Sequence, residues 1–460
     1  MCGIFGISNN KEAARLTYLG LYALQHRGEE SAGIVARCGK KVNQFRGMGL
    51  VGDVFKEREI KSLKGDMGVG HARYSTTGSS NPKNIQPFLV KHKKSHIAIA
   101  HNGNLVNTYQ LRNELECKGS IFQTTMDSEV IAHLLARSQN ESTEEVLVNS
   151  LRELEGAYSL VMMFNDLLIG ARDPLGWRPL CLGKLDNSYV LASETCALDL
   201  IQAQYIRDVE PGEIVIINKD KIKSINISTR SLFPTAKHAY CIFEYIYFAR
   251  PDSNIFGHNV YQARKNLGRE LARECPADCD IVIPIPDSGN YAALGFSEAS
   301  GIPFEVGMIR NHYVGRTFIQ PSQIIRDFRV KVKLNPIREV LKDKRVAIIE
   351  DSIVRGTTSR IRVKTIREAG AKEVHMRVSC PPLRHPCFYG IDFPTKKELI
   401  ASKRDIKWIK NFIGVDSLEY LSLEGMLKAM PIPKERFCTA CFTGDYPTKL
   451  PKKLGKGILE

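Results

Sequence analysis

The stretch Arg345-Val346-Ala347-Ile348-Ile349-Glu350-Asp351-Ser352-Ile353-Val354-Arg355-Gly356-Thr357-Thr358-Ser359 decides the fold of the second half of the chain. Val346 to Ile349 form a short unbroken apolar run, as a strand buried on both faces requires. Glu350 and Asp351 follow at its C-terminal end, the edge where open α/β sheets hold ligands. Gly356, Thr357, Thr358 and Ser359 then open a helical pattern through Ala369. A glycine-bearing turn into a helix start points backbone N–H groups outward, which suits a phosphate. Adjacent acids repel phosphate, but they accept ribose hydroxyls or share Mg²⁺ with a pyrophosphate. Acids and hydroxyls are also common at an ordinary capped helix start. Their conjunction with a glycine after a buried strand favours a site for a phosphorylated ribose.

A second such unit precedes it. An amphipathic helix is expected over Tyr261–Glu274 and a buried strand over Asp280–Ile285, ending in Pro286-Asp287-Ser288-Gly289. The glycine frees this loop's backbone to wrap an anion. The two loops resemble the 5-phosphoribosyl 1-pyrophosphate (PRPP) motif and the pyrophosphate loop of the type I phosphoribosyltransferases. The resemblance implies PRPP binding by Asp287, Ser288, Gly289, Glu350, Asp351, Arg355, Gly356, Thr357, Thr358 and Ser359. It also implies Mg²⁺ at Ser288, Glu350 and Asp351. The family usually has two aspartates; here the first acid is Glu350, which keeps the charge on a longer side chain. Arg310–Leu334 is basic and turn-rich, and by position it suits a lid that closes over PRPP and excludes water.

The first half opens Met1-Cys2-Gly3-Ile4-Phe5-Gly6. The small residue after Met1 permits removal of the initiator. Cys2 would then carry a thiol and a free α-amine that titrates near pH ~8 and serves as base for its own side chain. Gln25-His26-Arg27-Gly28, Gly70-His71-Ala72-Arg73-Tyr74-Ser75, His101-Asn102-Gly103-Asn104 after an apolar strand Ile97–Ala100, and Thr125-Met126-Asp127-Ser128 follow in that order. Together they resemble the class II glutamine amidotransferase domain, one of the N-terminal nucleophile hydrolases. Attack on a glutamine amide makes an oxyanion, for which the Asn102 side chain and the Gly103 N–H supply donors. Arg73 suits the substrate carboxylate and Asp127 its ammonium. Taken alone, Asn-Gly is most often a hairpin turn, and Arg73 with Asp127 could form a salt bridge; beside Cys2 the site is favoured. His26, His71 and His101 read as structural. So do Arg172-Asp173-Pro174-Leu175-Gly176 and Ala192-Ser193-Glu194-Thr195, as turns, with a ligand-side role left open.

The 460 residues call for two domains. The expected fold is mixed α/β and α+β. Residues 2–233 would form a four-layer αββα glutaminase domain, and 234–460 a type I phosphoribosyltransferase α/β domain with a C-terminal cluster-binding segment. Residues 227–238 read as the linker. No apolar run reaches transmembrane length, so no membrane partner is expected and the cytoplasm is the expected compartment. The net charge is +15, but the basic residues are scattered. Polyphosphate substrates and a basic tail explain the charge, and no nucleic acid is expected.

Twelve cysteines in such a chain point to thiols, catalysis or metal rather than disulfides. Cys438-Thr439-Ala440-Cys441 is a C-x-x-C, which alone serves zinc, redox chemistry or neither. With Cys241 and Cys387 it resembles the ligand contexts of the iron–sulfur subgroup of the family that joins these two domains, the glutamine-dependent PRPP amidotransferases. That resemblance spans nearly the whole chain. It implies a structural [4Fe-4S] cluster on Cys241, Cys387, Cys438 and Cys441, inhibition by purine nucleotides, and a homotetramer or homodimer. It also implies the reaction: ammonia from glutamine displaces pyrophosphate at C1 of PRPP, the first committed step of purine synthesis. Two rivals are a PRPP-sensing regulator without catalysis and a class II amidotransferase with another acceptor.

Overall fold

The strand Gly3–Ser8 organises the first domain. It is buried along its length and pairs antiparallel on both sides, with Phe5 opposite Ala192 and Gly3 opposite Ala72. This is seen in a computed structural model that describes the chain except residues 75–77, 94, 138–141, 228–237, 312–333, 394, 452–458 and 460. Among the described residues the sheet has seven strands, in the order Gln204–Asp208, Cys181–Leu185, Ser188–Ala192, Gly3–Ser8, Met67–Arg73, Ser31–Cys38 and Lys41–Met48. A second sheet has six: Lys221–Asn226, Glu213–Asn218, Leu167–Arg172, Gly156–Phe164, Ser95–Leu105 and Phe88–His92.

Burial on both faces of each sheet explains the unbroken apolar strands. Ile4, Val69, Ala98, Ala100, Val161 and Leu191 fill the space between the sheets. Helix Ala13–Ala23 covers the outer face of the first sheet, and Ser128–Arg137 with Thr143–Arg152 covers that of the second. The result is the expected four-layer αββα sandwich.

In the second domain four parallel strands run in the order Ile281–Pro284, Arg345–Glu350, Glu373–Val378 and Ser417–Tyr420. Val346 to Ile349 are fully buried, as their apolar run requires. Helices Val260–Glu274 and Asn290–Ser300 pack together at backbone contact: a Cβ on Gly268 would lie 1.8 Å from the Ala292 carbonyl oxygen. The register Pro284↔Ile349 and the bond from Ile285 N–H to the Ile349 carbonyl (2.9 Å) set the two strand ends side by side. Both ligand loops therefore leave one edge of the sheet.

The domains meet at Ala239–Cys241. Ala239 N–H donates to the Leu175 carbonyl (2.7 Å) and Cys241 N–H to that of Trp177 (3.2 Å). Tyr240–Cys241 pairs in parallel with Phe437–Cys438, which brings the end of the chain back to the junction. A π-helical turn, Glu244–Phe248, follows. Most of the expected linker (228–237), lid (312–333) and basic tail (452–458) lies outside the described residues.

One expectation is corrected in position. Ile97–Ala100 is only the middle of a strand that runs Ser95–Leu105, so Asn102 and Gly103 lie inside a strand, paired with Ser159 and Tyr158. The hairpin alternative is thereby excluded. Local propensity reads Asn-Gly as a turn, but pairing with Gly156–Phe164 overrides it.

Candidate functional site

Two clusters of chemistry-bearing residues form, one in each domain, and four cysteines gather at the domain junction. In the first, Cys2 leads the central strand and is 6% exposed. Its thiol faces the Tyr74 carbonyl at 3.4 Å, and the Tyr74 N–H faces the sulfur at 3.5 Å. The Cys2 N–H donates to Asn102 Oδ1 at 3.1 Å. That bond aims the other end of the amide away, and Asn102 Nδ2 is buried with no hydrogen-bond partner among the described residues. A buried, unspent donor costs free energy unless something arrives to use it. Gly103 beside it holds φ +153°, and a Cβ there would lie 2.0 Å from the Ala157 carbonyl oxygen. Met1 is buried ahead of Cys2, and that burial pushes its α-ammonium down to about 5.

Arg73 ends the strand next to Gly3 and is buried. It pairs with Glu30 at 2.7 Å and donates to the Ser79 carbonyl at 3.3 Å. Asp127 accepts the Leu105 N–H at 3.1 Å and faces His101 Nδ1 at 3.4 Å. Burial works to raise the Asp127 carboxyl, but the charge and hydrogen bond of His101 outweigh it and hold it below the usual range. Arg73 and Asp127 thus take separate partners, not each other. Three of these partners were missed in the sequence. Glu30 lies 43 residues from Arg73, and nothing in its flanks marks it. Tyr74 follows Arg73 in a motif that was read for Arg73 alone. His101 was read as structural, yet it sets the charge of Asp127.

Arg27 was quoted in the Gln-His-Arg-Gly motif without a role. It is buried and donates Nε–H to the Cys2 carbonyl at 3.0 Å. Its terminal nitrogens reach Glu194 and Glu244, both with fully buried side chains. Glu194 was read as part of a turn; it is a buried anion held low by His26 and Arg27 against the cost of its burial. Arg172 and Asp173 do shape a turn, through bonds to the Gly176 carbonyl (2.7 Å) and the Gly176 N–H (2.6 Å).

In the second domain Asp351 Oδ2 accepts from Ser288 Oγ at 2.5 Å and Oδ1 from Ser352 Oγ at 2.5 Å. This joins the two loops directly. Glu350, 3% exposed, turns to Arg362 at 2.8 Å. Burial pushes its carboxyl up to about 7, and Arg362 works against that rise. Gly356 holds φ +75° at the start of helix Thr357–Glu368, the left-handed turn that favours glycine. Thr357 and Thr358 are exposed and Ser359 is buried. Arg355, exposed, pairs with Glu398 at 3.3 Å. Asp287 pairs with Arg310. The peptide between Pro286 and Asp287 is cis. A Cβ on Gly289 would lie 2.5 Å from the Ile349 carbonyl oxygen. Burial, with the charge of Asp351 adding to it, raises the Tyr247 phenol.

Cys241, Cys387, Cys438 and Cys441 line one small pocket, walled also by Trp177, Phe243 and Tyr446. Burial raises three of these thiols, Cys241 to about 11 and Cys438 to about 12. The indole N–H of Trp177, on the same wall, is buried and meets no conventional acceptor among the described residues. Tyr389 N–H points at Cys387 Sγ at 3.4 Å. Among the described residues no three His, Cys, Asp or Glu side chains sit close enough to hold a single metal ion. No helix among them is long and apolar enough to cross a membrane.

Residues 71–200 match the family model of a glutamine amidotransferase domain. The amidophosphoribosyltransferase of Methanocaldococcus jannaschii is 51% identical, with 98% of each chain covered. That of Bacillus subtilis is 50% identical over 98% of this chain and 94% of its own. The solved glutamine PRPP amidotransferase from B. subtilis, complexed with ADP and GMP, superposes with a TM-score of 0.93 at 48% identity over all of both chains. By full-length likeness of sequence and of fold, the chain belongs to the amidophosphoribosyltransferase family.

Proposed function

We propose that this chain releases ammonia from glutamine at Cys2 and adds it to C1 of PRPP, giving 5-phosphoribosylamine, glutamate and pyrophosphate. The observation that carries the reading is the buried Asn102 Nδ2 donor, without a partner among the described residues, on a side chain whose Oδ1 holds the Cys2 N–H. Ground-state structure leaves it idle; a tetrahedral oxyanion would use it, together with the Gly103 N–H. Once Met1 is removed, the Cys2 α-amine takes the thiol proton as sulfur attacks the glutamine amide carbon. Ammonia leaves with that proton, and water then cleaves the thioester to glutamate. Arg73 would hold the substrate carboxylate and Asp127, kept ionised by His101, its ammonium.

At the second site the backbone turn at Gly356 and the hydroxyls of Thr357, Thr358 and Ser359 would hold the 5-phosphate, with Arg355 at their edge. Glu350 and Asp351 would accept the ribose hydroxyls, and Asp287, Ser288 and Gly289 would hold the pyrophosphate. Asp351 and Ser288, two hard oxygen donors joined at 2.5 Å, fit Mg²⁺. Glu350 fits it less well, because Arg362 already claims its charge. Bound Mg²⁺ would neutralise charge on the departing pyrophosphate.

The thiol-lined cavity supports a [4Fe-4S] cluster on Cys241, Cys387, Cys438 and Cys441. It brings four sulfurs to one pocket, and the Trp177 indole N–H on its wall works to lower the Cys438 thiol, as a donor to sulfur would. The cluster would be structural, tying the C-terminal segment to the junction. The nucleotides in the B. subtilis structure support purine nucleotides as ligands of this chain too. A homotetramer or homodimer is the proposed assembly. Twelve free cysteines fit the cytoplasm, a reducing compartment.

The test is Cys2→Ala, assayed with glutamine and separately with ammonium salts. Glutamine use is expected to vanish and ammonia use to survive. PRPP binding without glutamate release in the wild type would favour the sensor, and glutaminase activity indifferent to PRPP would favour another acceptor.

A further inference from the structure

Arg27 stands between the nucleophile and the second domain. Its Nε–H holds the Cys2 carbonyl at 3.0 Å, and its two terminal nitrogens fork onto Glu244 at 2.9 and 3.1 Å. A guanidinium is planar and rigid, so a carboxylate gripping its terminal edge fixes where Nε points. Glu194 also touches Arg27, but that carboxylate serves His26 (2.8 Å), the Arg250 N–H (2.9 Å) and Ser253 (2.7 Å) as well. The Glu244 carboxylate, among the described residues, bonds to Arg27 and, at 3.5 Å, to Arg178. It sits in the π-helical turn three residues past Cys241.

The oxyanion strand leans on the same domain. Asn104 Nδ2 donates to the Phe388 carbonyl at 3.0 Å. Gly390 packs so close that a Cβ there would lie 3.1 Å from the carbonyl atoms of Gly103. Arg178 Nε donates to the Tyr389 carbonyl at 3.2 Å, and the same guanidinium reaches Glu244. Segments that begin at Cys241 and Cys387 therefore back the nucleophile and the oxyanion donors respectively.

We infer that Glu244 is a positioning residue for the glutaminase: through Arg27 it sets the Cys2 backbone, so the nucleophile is held from the second domain. Phe388–Gly390 gives the oxyanion strand the matching support. The inference rests on the reading of Cys2 as nucleophile. It makes the first domain by itself an incomplete glutaminase, although every group that touches glutamine belongs to it.

The test uses the full-length holoenzyme carrying Glu244→Gln. This substitution keeps the size of the side chain and removes the charge that orients Arg27. The kcat with glutamine is expected to fall between about tenfold and about a hundredfold, the cost of a slightly misplaced reacting group. The KM for glutamine should hardly move, because Arg73 and Asp127 are untouched, and ammonia-dependent turnover should be unchanged. Asn104→Ser, which loses the bond to Phe388, should give the same split. Glu244→Asp, which keeps the charge but shortens its reach to Arg27, decides the matter if Glu244→Gln does not fold: the same split is expected, and its absence overturns the inference. Parallel loss of both activities would reduce Glu244 to a structural role, and unchanged kcat would remove any role; either overturns the inference. Cys2→Ala run alongside separates the two readings. If it retains glutamine turnover, the functional reading itself fails. If it loses turnover while Glu244→Gln keeps it, only the present inference fails.

Discussion

The two sites solve opposite problems. Around Cys2 nearly everything is buried and fixed: Arg73, Asn102 and Asp127 are each at most 5% exposed, and each is held by named partners, while the Asn102 Nδ2 donor has none among the described residues. At the PRPP loop Thr357 and Thr358 are exposed, and Arg355 and Asp287 hold partners at the surface. The glutaminase needs donors in place before charge develops, since preorganisation is the source of their value. The sugar site receives a ligand that brings its own charges, so its exposed rim can stay hydrated until the ligand arrives. Glu350 and Asp351 at the strand end are buried and held by Arg362 and Ser288. The contrast implies that small changes should be catastrophic in the first domain and graded in the second, except where backbone meets backbone.

Gly103→Ala should show the largest effect. A Cβ 2.0 Å from the Ala157 carbonyl oxygen must displace the oxyanion strand. Loss of one oxyanion donor costs about a hundredfold to a thousandfold in kcat. Steady-state rates with glutamine should show at least that loss, with ammonia-dependent rates spared. Gly289→Ala comes next, the exception in the second domain. Its Cβ would meet the Ile349 carbonyl oxygen at 2.5 Å. Misplacing the pyrophosphate loop should lower turnover from both nitrogen sources, by about a hundredfold. Thr358→Val is the smallest. It removes one hydroxyl of an exposed residue, whose bond to a charged phosphate is worth about 1.5 kcal/mol. The KM for PRPP should rise about tenfold, with kcat and thermal stability unchanged. If Thr358→Val proved as damaging as Gly103→Ala, the contrast between a rigid and a ligand-ordered site would be wrong.

The sequence carried what depends on neighbours along the chain. Val346–Ile349, the acids after it and Gly356 are contiguous, and the structure places them as a buried strand, a sheet edge and a left-handed helix start. Asn102-Gly103 sat at the limit of legibility. The dipeptide means a turn or a strand interior depending on Ser159 and Tyr158, more than 50 residues away. The buried ion network was beyond reach. Arg27 meets Glu194 at a separation of 167 residues and Glu244 at 217, and no periodicity encodes such a pair. Glu350 and Arg362 lie 12 residues apart, close enough along the chain to suspect. What hid their bond was that Glu350 already had a role as a ribose or metal ligand. The four cysteines came together through resemblance; only folding showed that Trp177 and Tyr389 stack at 4.4 Å beside the same cavity.

The most direct measurement supplies glutamine labelled with ¹⁵N at the amide, together with PRPP and an excess of unlabelled ammonium. The origin of the nitrogen in the phosphoribosylamine is then read by mass spectrometry. Handover inside one molecule predicts that the product keeps the label despite the pool. A product whose label matches the mixed pool would mean that ammonia escapes before it meets the sugar, and would contradict the coupling of the two sites.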